Sequence, residues 1–231
     1  MTSTMKKAKY SILTLQKEHI ESTVKLFVRS FCDSEPITKH LNMPYNDYEP
    51  FVREVLQKAV RDGLSVVAVD ENNQAIACTI GEDITDMFVP RVDQYPRMKP
   101  IFDLLDDVSE PFLSDKDFTP GKIVHVWIAI VDEKHRGQGL STAIDSACGE
   151  LAVRKGFDFA YAEFTNPISE NITHHYQALK PCNKIEYDNY TTKQNTQPFK
   201  GLKGRAESYV IGIRPGIKID SLANCYTIRK E

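Results

Sequence analysis

The stretch that decides the fold is DEKHRGQGLSTAIDSACGELAVRKGF, residues 132–157. It places Gly137 and Gly139 at the start of a segment whose apolar residues recur at helical spacing. The ten residues before it, KIVHVWIAIV, are apolar on both faces and predict a strand that is buried on both sides. Helices ordinarily begin with Ser, Thr, Asp or Asn as a cap, so the two glycines need another explanation.

An anion-binding loop explains the glycines. The first amides of a helix have no partner inside the helix, and the helix dipole adds partial positive charge there. A phosphate satisfies both, and glycines let it approach the backbone. The loop consists of Arg136, Gly137, Gln138, Gly139, Leu140 and Ser141. The alternative is a helix start at which small residues permit close packing.

Two other phosphate-binding motifs fit this stretch less well. A P-loop needs a Gly-Lys-Ser/Thr triplet, and the sequence contains none. The dinucleotide-binding fingerprint needs a third glycine, and Thr142 stands at that position.

Composition indicates a folded, soluble protein. The chain has 231 residues, of which 41% are hydrophobic and 26% charged. Its net charge of -3 gives no reason to expect nucleic acid or an anionic membrane as partner. No run approaches the roughly 20 apolar residues of a membrane span, and the N-terminus lacks a signal-peptide pattern, so we expect a cytoplasmic protein. Five scattered cysteines without a Cys-x-x-Cys motif predict no metal site.

The order of predicted elements indicates the α/β (α+β) class. Helices and strands alternate irregularly, as in a sheet with helices between and around its strands. We predict strands at 9–15, 64–69, 75–80, 122–131, 157–164, 184–192 and 207–214. Helices are predicted from the spacing of Ile20, Val24, Phe27 and Phe31, at 46–63, within 84–120, at 138–155, and after Ser169.

The stretch IAIVDEKHRGQGLSTAI resembles motif A of the GNAT superfamily of N-acetyltransferases. Arg136, Gly139 and Ser141 occupy the named positions of that motif, although Ser141 replaces its last Gly or Ala. The order of elements from Tyr10 to Arg214 agrees with the GNAT fold. The resemblance implies a mixed, mostly antiparallel sheet of about seven strands, splayed at the cofactor site. It also implies a single domain, 1–231.

The resemblance further implies that the co-substrate is acetyl coenzyme A. Its pyrophosphate would lie on the amides from Arg136 to Ser141. Its pantetheine arm would pair, like an added strand, with the backbone of Ala129, Ile130 and Val131.

A second stretch, SFCDSEPITKHL, is similar to the arylalkylamine N-acetyltransferase-like branch of the superfamily. Glu35 and Pro36 match its Glu-Pro pair, and the branch assigns the role of general base to that glutamate. The resemblance to this branch also implies a helical insertion around 84–120. Tyr176, seven residues after Ser169, is the candidate general acid by superfamily resemblance. The alternative is a pair of hydroxyls, Thr165 and Ser169, as in the dopamine-type branch. Without these motifs Glu35 would be a solvated loop carboxylate and Tyr176 a packing residue.

The remaining predictions concern the acceptor and its alternatives. Phe31, Tyr187 and Tyr190 are candidates to line an acceptor pocket, or else to pack in the core. We expect a small-molecule primary amine, arylalkylamine or polyamine-like, as substrate, and a monomer or homodimer. The other hypotheses are a peptide or protein N-acetyltransferase and a catalytically weak acyl-coenzyme A-binding regulatory domain.

Overall fold

The computed structural model of the chain describes residues 10–166 and 181–229. Its helices are α1 (Ile20–Ser34), α2 (Pro36–His40), α3 (Tyr45–Asp62), α4 (Lys99–Leu113) and α5 (Leu140–Arg154). Its strands are β1 (Ser11–Thr14), β2 (Val66–Val69), β3 (Ala75–Asp83), β4 (Lys116–Phe118), β5 (Ile123–Val131), β6 (Phe159–Phe164), β7 (Asn183–Glu186), β8 (Arg205–Gly212) and β9 (Tyr226–Ile228).

Seven of these strands form one mixed sheet in the order β1-β2-β3-β5-β6-β8-β7. All neighbours pair antiparallel except β5 and β6, which are parallel because α5 connects them as a crossover. The predicted fold class and strand number are confirmed.

Helices cover both faces of the sheet. On one face α1 and α3 bury an aromatic and aliphatic cluster that includes Phe27 and Phe51. On the other face α5 packs Leu140, Ile144 and Cys148 against β2 and β3, as its apolar periodicity predicts.

The central strands separate at one end. The extra residue Trp127 forms a bulge in β5, because Ile80 pairs with Ile128 whereas Gly81 pairs with Val126. The described pairing of β5 with β6 covers only residues 123–125, although both strands run further. The strands therefore diverge beyond His125, which confirms the predicted splay.

The described residues differ from the predicted elements at the end of β7, at α2 and at the sheet of β4 and β9. The strand predicted at 184–192 ends at Glu186 and is followed by a 3-10 turn, Tyr187–Asn189. The turn buries the Tyr187 ring, and the Tyr187 amide donates a hydrogen bond to the Gly204 carbonyl. The short helix α2 and the two-stranded sheet of β4 and β9 were not predicted, since segments of three to five residues show no periodicity. The helix predicted after Ser169 lies outside the described residues.

The predicted helix within 84–120 is present as α4, and it packs against β7 and β8. Among the described residues, no helix combines the length and the apolar character that crossing a membrane requires.

Candidate active site

A cavity of about 560 Å³ occupies the gap between β5 and β6. At one end it is lined by the glycine loop and the first turn of α5, including Gly137, Gly139 and Ser141. At the other end it is lined by α1, α2 and α4, including Phe31, Glu35 and Phe102. The splay of the sheet thus joins the predicted phosphate loop and the predicted base in one space.

The glycines of the loop are required by backbone conformation. Gly137 has φ 73° and Gly139 has φ 75°, values that L side chains rarely adopt. A Cβ added at either position would meet no heavy atom within 4 Å, so close packing does not explain them. Gly139 is the N-cap of α5, and Leu140 and Ser141 of the first turn, whose amides have no partner inside the helix, line the cavity. This geometry favours the anion-binding interpretation over the packing alternative.

Contacts made by side chains outside α5 fix the segment that leads into the loop. Asp132 accepts a hydrogen bond from the Lys134 amide at 2.9 Å and forms an ion pair with Arg29 of α1. The Arg136 Nε donates to the Val131 carbonyl at 3.3 Å. Gln138 is exposed and does not line the cavity, unlike the other five residues of the predicted loop.

The end of β5 offers a backbone edge to the cavity. Ala129, Ile130 and Val131 line it, and their other edge pairs with β3, for example Ala129 with Thr79. Since β6 has diverged there, this stretch can accept an added extended segment.

Asp145 lies beside this edge, a residue that sequence reasoning missed. Its Oδ1 accepts a hydrogen bond from the Thr79 hydroxyl at 2.8 Å, and its Oδ2 accepts one from the Ser141 hydroxyl at 3.4 Å. Burial outweighs both bonds and raises the pKa of Asp145 from 3.8 to about 6.

This shift predicts that neutralising Asp145 stabilises the protein at neutral pH. A raised folded-state pKa means that the wild type loses stability as the pH rises from 3.8 through about 6. The free energy of unfolding of Asp145→Asn relative to the wild type should therefore increase from acidic to neutral pH, by up to roughly 3 kcal/mol at about 1.4 kcal/mol per pKa unit. Urea unfolding of both proteins, once below the pKa of 3.8 and once at neutral pH, measures this difference. An equal difference at the two pH values would contradict the prediction.

Glu35 is fixed by the start of α2. It is the N-cap of that helix, and its Oε2 accepts hydrogen bonds from the Thr38 amide and hydroxyl, both at 2.8 Å. Its Oε1 accepts a hydrogen bond from the Thr165 hydroxyl at 3.2 Å. The structure therefore brings the predicted base together with one of the predicted hydroxyls, across 130 residues of sequence.

The surroundings of Glu35 make it a stronger base than a free carboxylate. Burial raises the pKa of Glu35 above 4.5, although the hydrogen bonds from Thr38 and Thr165 act in the opposite direction. Phe31, next to it in the cavity, stacks on Tyr48 with ring centroids 5.5 Å apart.

The other predicted residues are placed differently. Tyr187 is fully buried and donates its hydroxyl to the Thr165 carbonyl at 2.6 Å. Tyr190 is buried and donates to Asp107 Oδ2 at 2.8 Å. Both pack against Phe199 in a core cluster and do not line the cavity, because the turn after β7 points them inward. Ser169 and Tyr176 lie outside the described residues.

Two further residues at the floor of the cavity were missed. Glu163 of β6 and Trp127 of β5 line it, and Glu163 contacts the buried ring of His125. The available signal was a histidine inside an otherwise apolar central strand. In the described part of the chain, no cluster of three or more His, Cys, Asp or Glu side chains has the arrangement of a metal site.

No protein-family model matches the sequence. The chain is similar in structure to the C-terminal condensation domain of Ebony in complex with β-alanyl-dopamine, with a TM-score of 0.79, 19% identity, and coverage of 89% of this chain and 99% of that one. It is also similar to arylalkylamine N-acetyltransferase 2 from Aedes aegypti, with a TM-score of 0.72, 17% identity, and coverage of 89% and 100%. A Drosophila melanogaster polyamine N-acetyltransferase gives a TM-score of 0.67 at 14% identity, with coverage of 88% and 100%. The chain has the GNAT fold.

Proposed function

We propose that this protein is an acetyl-coenzyme A-dependent N-acetyltransferase that acetylates a primary amine of a small molecule. The observation that carries the proposal is the continuous cavity, which joins the glycine loop to Glu35 through the gap in the sheet. The fold shared with arylalkylamine and polyamine N-acetyltransferases supports it. We propose that the whole chain, 1–231, acts as one domain, with α4 from the insertion as a wall of the cavity.

The glycine loop would hold the pyrophosphate of acetyl coenzyme A. The amides of the first turn of α5 supply unpaired donors, and Arg136 supplies a guanidinium at the loop entrance. The pantetheine arm would bind along the free edge of Ala129, Ile130 and Val131, which delivers the thioester into the splay between the strands.

Glu35 would act as the general base. It would take a proton from the amine, directly or through one water, as the nitrogen attacks the thioester carbon. The bonds from Thr38 fix its Oε2, which leaves Oε1 toward Thr165 and the cavity. A raised pKa makes the carboxylate a better proton acceptor near neutral pH.

The carbon–sulfur bond then breaks, and the departing thiolate needs a proton. Thr165 is placed at the cavity beside Glu35, which supports the hydroxyl alternative. Ser169 and Tyr176 stay predictions for the same step, with Ser169 also a candidate contact to the pantetheine arm.

The lining of the acceptor end favours a small acceptor over a peptide. Aromatic and aliphatic side chains of α1 and α4, such as Phe31, Ile101 and Phe102, wall that end. Phe31 stays the proposed acceptor contact from α1.

Thiol release from acetyl coenzyme A across a panel of amines and peptide N-termini tests the function. We expect release with small primary amines and none with peptides. Turnover of peptides alone would establish the protein-acetyltransferase alternative. Thermal stabilisation by coenzyme A with no turnover of any amine would overturn the proposal in favour of a binding domain.

A further inference from the structure

A buried charge triad crosses the centre of the sheet. His125 of β5 lies between two carboxylates, with Nδ1 2.9 Å from Glu82 Oε1 and Nε2 2.8 Å from Glu163 Oε2. The side chains of Glu82, His125 and Glu163 are 4%, 6% and 7% exposed, so water does not screen their contacts.

The arrangement requires a charged imidazole. Ionised carboxylates only accept hydrogen bonds, so a ring with one on each nitrogen donates from both. Burial opposes the charge, but Glu163 and Glu82 outweigh burial and raise the pKa of His125 to about 10. In return, burial opposes ionisation of Glu163, but His125 and the Ser109 hydroxyl, which donates at 2.7 Å, lower the pKa of that carboxyl.

Glu163 is the member of the triad that faces the cavity. It lies two residues before Thr165, which bonds to Glu35, and both Glu163 and Thr165 line the cavity. Glu35 lines the cavity as well, so its lining contains two carboxylates, which Thr165 links.

The environments of Glu35 and Glu163 shift the pKa values of the two carboxyl groups in opposite directions. The pKa of Glu35 is raised and that of Glu163 is lowered, a divergence that separates a proton acceptor from a permanent anion. Trp127 and Phe102 border the same space, and aromatic faces also attract cations.

With one charged imidazole between two carboxylates, the triad keeps a net negative charge. Lys58 is on the far side of Glu82, at 3.3 Å, where it also pairs with Asp62 and Asp86. Tyr161 on its own strand and Asp106 on α4 interact electrostatically with Glu163, and neither supplies positive charge. On the adjacent strand β8, the Arg205 guanidinium is paired with Glu207.

We propose that Glu163 binds a second positive charge of the acceptor, so that the protein is selective for diamine-type substrates. Its carboxylate would take the distal ammonium while Glu35 receives the proton of the reacting amine. His125, clamped by Glu82, is the positioning residue that keeps Glu163 ionised. This inference rests on the proposed function.

The first test compares two acceptors with the wild-type protein. Putrescine and butylamine share a four-carbon chain and differ by one cationic group. With kcat/KM calculated on the fraction of each acceptor whose reacting amine is unprotonated, we expect the value for putrescine to exceed that for butylamine by roughly 10–100-fold, the scale of a hydrogen bond to a charged group. Turnover of both amines at equal kcat/KM would overturn the inference and leave the proposed function intact. Absence of turnover with any amine would instead overturn the proposed function.

The second test removes the anion. Glu163→Gln should lower the ratio of putrescine to butylamine kcat/KM, calculated in the same way, toward one, because only putrescine offers a second cation to that carboxylate. Glu207→Gln is the matched control, because Glu207 is a buried carboxylate on the adjacent strand β8 that does not line the cavity. An undiminished putrescine preference in Glu163→Gln would contradict the inference. The wild-type comparison stands whether or not the variant folds.

The role of His125 has its own measurement. His125→Gln should make the ratio of putrescine to butylamine kcat/KM fall as the pH is lowered, because Glu163 loses the charge that keeps it ionised. Because Glu35 acts on both amines, its titration changes both kcat/KM values by the same factor and leaves their ratio unchanged. A ratio that stays at the wild-type value across the same pH range would restrict His125 to a structural role.

Discussion

Replacing Glu35 by Gln should lower kcat/KM for amine acetylation at neutral pH by roughly 10²–10⁴-fold, the usual scale of a general base. The amide oxygen can still accept the hydrogen bond from the Thr38 amide, so the cap of α2 is retained. The variant also removes a carboxylate whose ionisation burial disfavours, so its folding stability should not fall. Part of the lost rate should return as the pH rises, because free amine then forms without a base. Steady-state kinetics over a pH series, with acetyl coenzyme A saturating, measure both effects.

Asp33→Asn is the matched control for this variant. Asp33 is two residues away on α1, is exposed, and accepts hydrogen bonds from the Tyr45 hydroxyl outside the cavity. We expect its kinetics to match the wild type. In the wild type, activity should decline as the pH falls through the pKa of Glu35, which lies above 4.5. A Glu35→Gln variant with wild-type turnover and an unchanged pH profile would show that Glu35 only caps α2 and is not the base.

The fold was predictable because its decisive signals are local. Glycines with positive φ before a periodic apolar helix, and a central strand apolar on both faces, occur within residues 122–155. The end of β7 was not predictable, since Tyr187 is compatible with a strand and leaves it only because the core accepts its ring. Short elements such as α2 are determined by contacts rather than by pattern: its cap Glu35 is held from Thr165, far away in sequence.

The conformation of the candidate loop was predictable, because positive φ at Gly137 and Gly139 restricts the residue type at those positions. That the loop at residues 136–141 binds a phosphate stays a prediction. The acceptor end depends on which side chains tertiary packing brings together. Glu82, His125 and Glu163 come from three strands, and their sequence separations of 43 and 38 residues carry no periodic signal. Aromatic residues such as Tyr187 and Tyr190 are compatible with a ligand pocket and with a hydrophobic core. Only the structure shows that these two pack in the core.

The second large effect is expected at the phosphate loop. Gly139→Asp should weaken coenzyme A binding by roughly 100-fold or more, since it adds negative charge where a helix N-terminus would hold the pyrophosphate and since each hydrogen bond to a charged group contributes about 1.5–3 kcal/mol. Open space around the added Cβ means that the new side chain collides with no protein atom, so the loss arises at the bound pyrophosphate. Isothermal titration calorimetry with coenzyme A measures the change in affinity directly.

Strain at positive φ must be separated from this electrostatic effect, and the chain offers a matched position. Gly216 has φ 78°, close to the 75° of Gly139, and its added Cβ would also meet nothing within 4 Å. It does not line the cavity, so Gly216→Asp introduces the same charge and the same backbone strain away from the loop. We expect a loss of coenzyme A affinity in Gly139→Asp alone, measured on folded protein of both variants. Equal affinities in the two variants would show that the loop does not bind the pyrophosphate, because charge and strain are identical and only the position differs.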